Sequence, residues 1–157
     1  MDSHVVLTAA VLQTIFRHAE LEYPKECCGL VFADATVHRG SNIQDRLQRE
    51  QPEVFQRTAA NGYTFSVQDT LLLNHSLKGG NPARVLYHSH PDVGAYFSRE
   101  DEDKALFMGE PIFPVAYLVI DVRDAQAHGA RLFEWDGSGF SCSREFAGGL
   151  TGNKESS

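Results

Sequence analysis

The first regular pattern along the chain is an apolar stripe at helical spacing near the N-terminus. Its members are Leu7, Val11, Leu12, Ile15, Phe16 and Ala19. This spacing is typical of the buried face of an amphipathic helix. Thr8 is a suitable N-cap for that helix. We therefore predict a core-facing helix after Thr8, preceded by a short strand over 5–7.

Short apolar runs separated by turn residues predict most of the remaining elements. The predicted strands cover residues 29–32, 36–39, 63–67, 83–87, 115–122 and 130–135. The first two form a predicted hairpin around Asp34 and Ala35, and the last two pair across a turn at 124–129. A helix is expected over 68–77, where Gly79 and Gly80 follow its end.

Residues 40–61 are polar and have no clear period, which predicts a long surface loop. Long irregular loops in small domains are often functional. Arg46, Arg49 and Arg57 could contact an acidic partner, and a simply solvated loop is an equally good interpretation.

This order of elements predicts an α/β or α+β layered domain, in which helices flank a sheet. No repeat or linker indicates a second domain. We expect residues 1–146 to form the domain and residues 147–157 to be a disordered tail.

Composition narrows the classes of function. The chain has 157 residues, 42% hydrophobic and 22% charged, as expected of one soluble globular domain. Its net charge of −7 argues against nucleic-acid binding through phosphates. No apolar run is long enough for a membrane span, and the N-terminus lacks a signal-peptide pattern, so we expect a cytoplasmic protein.

The three cysteines, Cys27, Cys28 and Cys142, show no CxxC spacing. An odd number of cysteines favours reduced thiols. Cys27 and Cys28 lead into a predicted strand, where small core residues are a better interpretation than a redox pair.

The densest candidate chemistry is His88-Ser89-His90-Pro91 at the end of the predicted strand 83–87. Side chains alternate faces along a strand, so His88 and His90 point to one side and Ser89 to the other. Pro91 ends the strand, because it has no N–H to donate to a neighbour. Two imidazoles on one face can share a metal ion.

After a loop over 92–97, Ser98 and Asp101 form the pattern of a capping box, before the run 104–108. Acidic residues at 100–103 suit the positive end of a helix dipole. The two residues could be only a helix start. That interpretation does not explain why a same-face histidine pair and a capped acidic helix lie one short loop apart.

His88, His90 and Asp101 are a suitable set of ligands for Zn²⁺, and three ligands leave a fourth position open, which is the catalytic pattern. Such a site also needs a carboxylate to take and return a proton. Glu26 is the best candidate, because it stands at the start of an apolar strand. From the residues alone, a surface glutamate is the more ordinary interpretation.

The gapped pattern Glu26…His88-x-His90-Pro91, six residues, Ser98-x-x-Asp101 resembles the JAMM (MPN-plus) zinc metallopeptidases. The resemblance extends over residues 4 to about 136 and implies a mixed sheet flanked by helices, with cytidine-deaminase-like architecture. It implies that His88, His90 and Asp101 bind one zinc ion. It also implies that Glu26 activates the zinc-bound water and that Ser98 hydrogen-bonds the oxyanion.

Within this family the chain resembles short bacterial members that process small ubiquitin-fold proteins, including sulfur carriers. The resemblance implies hydrolysis of the peptide or isopeptide bond after a Gly-Gly tail. An extended tail can add to a sheet edge, and glycine lets its backbone approach the metal. Tyr96 and Phe97 could line the tail channel or pack in the core.

Two other functions are weaker. A non-catalytic binding module with the same fold would be expected to lack a ligand or the glutamate, and neither is missing. A zinc deaminase needs His-x-Glu and a later Pro-Cys-x-x-Cys, and the chain has neither. The remaining histidines show no ligand spacing.

Overall fold

The computed structural model describes residues 6–149. Among them, the elements in chain order are α1 (Ala9–Glu22), β1 (Cys28–Phe32), β2 (Val37–Arg39), α2 (Gln44–Glu50), α3 (Val67–Ser76), β3 (Ala83–Pro91), α4 (Arg99–Ala105), β4 (Leu106–Phe107), β5 (Glu110–Pro111), β6 (Ala116–Arg123), β7 (Gln126–Trp135) and β8 (Phe140–Ala147). This arrangement confirms the predicted α+β class.

One mixed sheet forms the centre of the domain. Its strand order is β2-β1-β3-β6-β7-β8. β3 pairs antiparallel with β1 and parallel with β6, so it lies in the interior of the sheet. The strand that carries the histidine pair is therefore held on both sides.

Helices cover the two faces of the sheet and enclose two hydrophobic cores. The α1 stripe packs on one face with alternate residues of β3 and β6, such as Val85 and Leu118. The other face packs against Leu73 of α3 and Ala105 of α4. The predicted core stripe of α1 is confirmed, because the residues of that stripe are buried.

The register between β1 and β3 explains how an early glutamate reaches the histidines. Cys28 lies opposite His88 in this antiparallel pair. Hydrogen bonds continue the pairing for one more step, since Ser89 N–H donates to the Cys27 carbonyl at 3.2 Å. Extending the register by one further residue brings Glu26 to the level of His90. With alternating faces, Glu26 lies on the same side of the sheet as both histidines.

Two sequence predictions between β2 and β3 are corrected. The strand over 63–67 is wrong: Phe65 forms only an isolated bridge with Asn42, and the Ser66 side chain caps α3 by accepting a hydrogen bond from the Asp69 N–H. Residues 40–61 are not all loop, because they contain α2.

The chain ends also differ from expectation. Val6 and Leu7 lie outside the sheet, and Val5 lies outside the described residues. β8 was not predicted, and Gly148 N–H still donates to the His128 carbonyl at 3.2 Å. The rest of the predicted tail, 150–157, lies outside the described residues. Within 6–149, none of the helices has the length and apolar character needed to span a bilayer.

Candidate active site

β3 presents the two histidines to one side of the sheet, as the alternation predicted. His88 and His90 are 0% and 4% exposed. Ser89 points to the opposite face, where its hydroxyl accepts a hydrogen bond from the Cys27 N–H at 2.8 Å. That contact ties β3 to the start of β1, and it thereby fixes the histidines relative to Glu26.

The first turn of α4 supplies the third member of the cluster, the carboxylate of Asp101. Ser98 is the N-cap, and both halves of the predicted capping box are present. Ser98 Oγ accepts from the Asp101 N–H at 3.0 Å, and the Ser98 N–H donates to Asp101 Oδ2 at 3.0 Å. Asp101 is thus buried and oriented by the start of its own helix.

Three possible ligand atoms converge in an equilateral triangle. Nε2 of His88 lies 3.2 Å from Nε2 of His90, and Asp101 Oδ2 lies 3.2 Å from each of them. Ligand bonds of about 2.0 Å in a tetrahedral zinc site place neighbouring ligand atoms about 3.3 Å apart. The donor types and their spacing therefore fit a metal ion, and this buried group could hold one.

Contacts behind the triangle determine which nitrogen of His90 carries a proton and whether Asp101 is ionised. The backbone carbonyl of Gly94 can only accept, so His90 Nδ1 donates to it at 3.0 Å and Nε2 is the nitrogen that faces the triangle. Burial opposes ionisation of Asp101, but the charge of His88 and the hydrogen bonds from His88, His90 and the Ser98 N–H outweigh it and hold the pKa of Asp101 well below its usual range. Asp101 therefore offers an anionic oxygen.

Two tyrosines form walls around the imidazoles. The Tyr63 ring stacks on His88 with centroids 4.6 Å apart, and the Tyr96 ring meets His90 edge-on at 4.8 Å. Of the two interpretations offered for Tyr96, a pocket wall or a core residue, the structure favours the first, because Tyr96 lines the pocket beside the triangle. Phe97 instead packs against Phe133 in the second core.

Glu26 lies in the same pocket as Ser98, His90 and Asp101. Its backbone is fixed on both sides, since its N–H donates to the Ala59 carbonyl at 2.7 Å, and the Asn42 side chain donates to its carbonyl at 2.9 Å. Burial raises the pKa of its carboxyl to about 7. Within residues 6–149 this carboxyl group makes no hydrogen bond or ion pair, so it can bind a water molecule.

Two cationic residues line this pocket: Lys104, which sequence reasoning missed, and Arg57, which it considered only as a contact for an acidic partner. Lys104 follows Asp101 by one helical turn, and its Nζ donates to the Tyr63 carbonyl. Burial lowers the pKa of Lys104, against the attraction of Glu100 and other nearby carboxylates. Arg57 forms an ion pair with Glu100. The spacing of Lys104, one helical turn after Asp101, could have placed it at the site from the sequence. The contact between Arg57 and Glu100 could not have been found in this way, because the two residues are far apart in the sequence.

The fold and the triangle together define a domain of the JAMM-like class. The sequence profile described as prokaryotic homologs of the JAB domain matches residues 8–136. The chain belongs to this family, which confirms the resemblance found in the sequence.

Curated relatives are similar to the chain over most of its length. The chain is 25% identical over 130 residues to the "CysO-cysteine peptidase" of Mycobacterium tuberculosis, covering 82% of this chain and 81% of that protein. The Mycobacterium bovis protein of the same name gives the same values.

Two solution structures share the fold. One, of a Desulfitobacterium hafniense protein, has a TM-score of 0.60 at 18% identity and 86% coverage of both chains. The other, of a Salinibacter ruber protein, has a TM-score of 0.50 at 22% identity and 85% coverage of both chains.

Proposed function

We propose that the protein is a zinc-dependent peptidase that hydrolyses the peptide or isopeptide bond after the C-terminal Gly-Gly of a small ubiquitin-fold protein, such as a sulfur carrier. The observation that carries this proposal is the position of Glu26, whose carboxyl group has no hydrogen-bond partner among residues 6–149, beside the buried triangle of His88, His90 and Asp101. The name of the mycobacterial relatives, CysO-cysteine peptidase, supports the same class of substrate.

His88, His90 and Asp101 would hold the metal through the three atoms that already face one another. Zinc, when bound, supplies a Lewis acid that polarises the scissile carbonyl and makes water more acidic. The ligands themselves contribute one negative charge, from Asp101, so the site keeps a net positive charge for an anionic transition state.

Glu26 is proposed as the general base and acid. Its carboxylate takes one proton from the attacking water, whose oxygen adds to the carbonyl carbon of the terminal glycine. The same carboxyl group then returns the proton to the nitrogen of the leaving group, and the C–N bond breaks. A pKa near 7 suits proton transfer in both directions at neutral pH.

Ser98 is proposed to stabilise the oxyanion. Its Oγ already accepts the Asp101 N–H, so the hydroxyl proton must be directed elsewhere. Ser98 lines the pocket, where that proton can donate to the oxygen on which negative charge develops. The hydroxyl therefore combines a capping role with a role in the reaction.

The pocket dimensions favour a slender substrate. Its volume is about 260 Å³, somewhat below the roughly 300 Å³ at which typical ligand pockets begin. Tyr63 and Tyr96 line this pocket beside the imidazoles. A Gly-Gly segment meets this requirement, because it lacks side chains.

The proposal is tested with ubiquitin-fold carriers from the same genome, each made with a short extension after its Gly-Gly. Zinc-loaded protein should convert these carriers to forms that end in Gly-Gly, as measured by intact-protein mass spectrometry. If no carrier is cleaved, the proposed activity is wrong. Carrier binding without cleavage would then indicate a non-catalytic binding module.

A further inference from the structure

The two imidazoles of the triangle are held in different ways. Nδ1 of His90 donates to the Gly94 carbonyl at 3.0 Å, which fixes the plane of that ring. Nδ1 of His88 is buried and has no hydrogen-bond partner among residues 6–149. Metal-binding histidines almost always donate their second nitrogen to an acceptor that orients the ring. His88 must therefore be oriented by something other than a hydrogen bond.

The Tyr63 ring is in the right place to do this. It stacks on the His88 imidazole, with centroids 4.6 Å apart and planes inclined by only 25°. The torsion about the Cβ–Cγ bond of a histidine is otherwise broad. Rotation of the His88 ring about this bond would drive one of its edges into the face of the phenol. The stack thereby restricts the torsion that a hydrogen bond at Nδ1 would otherwise hold.

Tyr63 is itself firmly placed. It is 6% exposed, and the Asn42 side chain holds the backbone on both sides of it. The Asn42 amide donates to the Gly62 carbonyl at 3.0 Å, and its oxygen accepts the Thr64 N–H at 3.1 Å. The same amide donates to the Glu26 carbonyl at 2.9 Å. The ring that contacts His88 is therefore anchored to the residue proposed as the base.

The other tyrosine beside the triangle has no comparable role. Tyr96 meets His90 edge-on, with planes 69° apart, and it is 48% exposed. Because the Gly94 carbonyl already orients His90, the contact with Tyr96 is not needed to hold that ring. The chain thus offers two tyrosines beside two imidazoles, of which only Tyr63 contacts the imidazole that lacks a hydrogen bond at Nδ1.

We propose that Tyr63 is a positioning residue, which orients His88 for metal binding by ring stacking in place of a hydrogen bond. The inference rests on the proposed function, because it takes the triangle as a zinc site, and it adds a residue outside the predicted ligands. The role belongs to the flat face of the ring, so it does not depend on the phenol hydroxyl.

The test compares the zinc affinity of wild type and variants of the full chain, measured by competition with a chromophoric chelator. Tyr63→Leu should bind zinc on the order of 10- to 100-fold more weakly, the usual effect of losing a residue that orients a ligand. Tyr63→Phe should bind zinc as wild type does, because it keeps the aromatic face. Tyr96→Leu is the matched control and should also retain wild-type affinity, because His90 keeps its hydrogen bond to Gly94.

Phe133→Leu controls for the loss of a buried aromatic ring. Phe133 lies in the same core as Tyr63 and stacks on Phe97, away from the triangle. It should lower the free energy of unfolding without changing zinc affinity. If Tyr63→Leu does not fold, Tyr63→Met takes its place, because methionine fills irregular space without a flat face.

The outcomes separate this inference from the proposed function. Wild-type zinc affinity in the variant without an aromatic ring at position 63, or an equal loss in Tyr96→Leu or Phe133→Leu, would overturn the positioning role. A loss in Tyr63→Phe as large as that in Tyr63→Leu would assign the effect to the hydroxyl and overturn the stacking argument. Absence of zinc binding by wild type would instead overturn the ligand assignment and the proposed zinc peptidase.

Discussion

The Ser98 N–H and the Asp101 carboxylate are joined by a 3.0 Å hydrogen bond, and the accepting atom, Oδ2, is the oxygen that faces both histidines. One contact therefore starts a helix and orients a proposed metal ligand. Because the side-chain rotamer is fixed by the cap, the oxygen is already in place before an ion arrives.

Asp101→Asn tests the ligand assignment. Asparagine can still accept the Ser98 N–H, so α4 should remain capped while the anionic oxygen is lost. Zinc affinity should fall by at least about 100-fold, since loss of a residue that only orients a ligand already costs about 10- to 100-fold. Metal content per chain is measured by mass spectrometry after dialysis. Asp103→Asn, an exposed change on the same helix, is the control. Full zinc occupancy in Asp101→Asn would contradict the assignment of Asp101 as a ligand.

Ser98→Ala should separate capping from chemistry. Loss of the cap is expected to cost about 1 kcal/mol of unfolding free energy, and loss of an oxyanion donor should lower kcat by about 10²- to 10³-fold. Ser66→Ala is the matched variant, because Ser66 caps α3 by accepting the Asp69 N–H at 3.1 Å. It should show a similar loss of stability with unchanged kcat. Equal kcat in the two variants would limit Ser98 to capping.

Glu26→Gln should remove the base while leaving the ligands intact. We expect kcat to fall by about 10²- to 10⁴-fold, the usual contribution of a general acid–base, with normal zinc content. Steady-state cleavage and metal analysis on the same preparation provide the measurement. Glu53→Gln, at an exposed position, controls for the loss of one negative charge. Wild-type turnover in Glu26→Gln would contradict the proposed mechanism.

His18 predicts a pH dependence of stability that is independent of the active site. The Tyr87 hydroxyl lies 2.7 Å from its Nδ1, and burial, aided by the charge of Arg39, lowers the pKa of His18 from 6.5 to about 4. Between these values the unfolded chain binds a proton that the folded one does not. The stabilisation is therefore fully present above pH 6.5 and falls by about 3 kcal/mol as the pH drops to 4.

Urea denaturation across this pH range measures the effect. In His18→Asn, whose side-chain oxygen can still accept from Tyr87, the unfolding free energy should lose this part of its pH dependence. His75→Asn, at an exposed position on α3, should retain the wild-type slope. A slope in His18→Asn equal to that of wild type would show that His18 is not the responsible group.

Local patterns were sufficient for the elements that carry the candidate site. Alternation along β3 placed His88 and His90 on one face, and the spacing of Ser98 and Asp101 correctly predicted the capping box. Both depend on contacts within a few residues. The side-chain roles of Glu26, Ser98 and the three proposed ligands stay predictions until they are tested.

Where long-range contacts decide the structure, sequence reasoning failed. The N-cap of α2 makes no side-chain capping bond, and this helix begins instead at Gln44, which contacts distant Arg57 and Thr64. β8 is mostly exposed and is defined by its pairing with β7, and its two phenylalanines, Phe140 and Phe146, are only partly buried, so its apolar signal is weak. The segment 63–67 resembles a strand in pattern, but its Ser66 is used as a helix cap.

The antiparallel register of β1 and β3 has a consequence for how such proteins can change. Glu26 reaches His90 through strand pairing and not through the length of chain between them. The exposed stretch 51–54 can therefore gain residues without moving the proposed base, provided that the pairing of Cys28 with His88 and the contacts of Asn42 and Ala59 with the Glu26 backbone are kept. A single-residue insertion within β1 would turn Glu26 to the opposite face. The pairing register of β1 and β3 must therefore be kept. The exposed part of the chain between these strands can accept insertions, and new partner specificity can be acquired there.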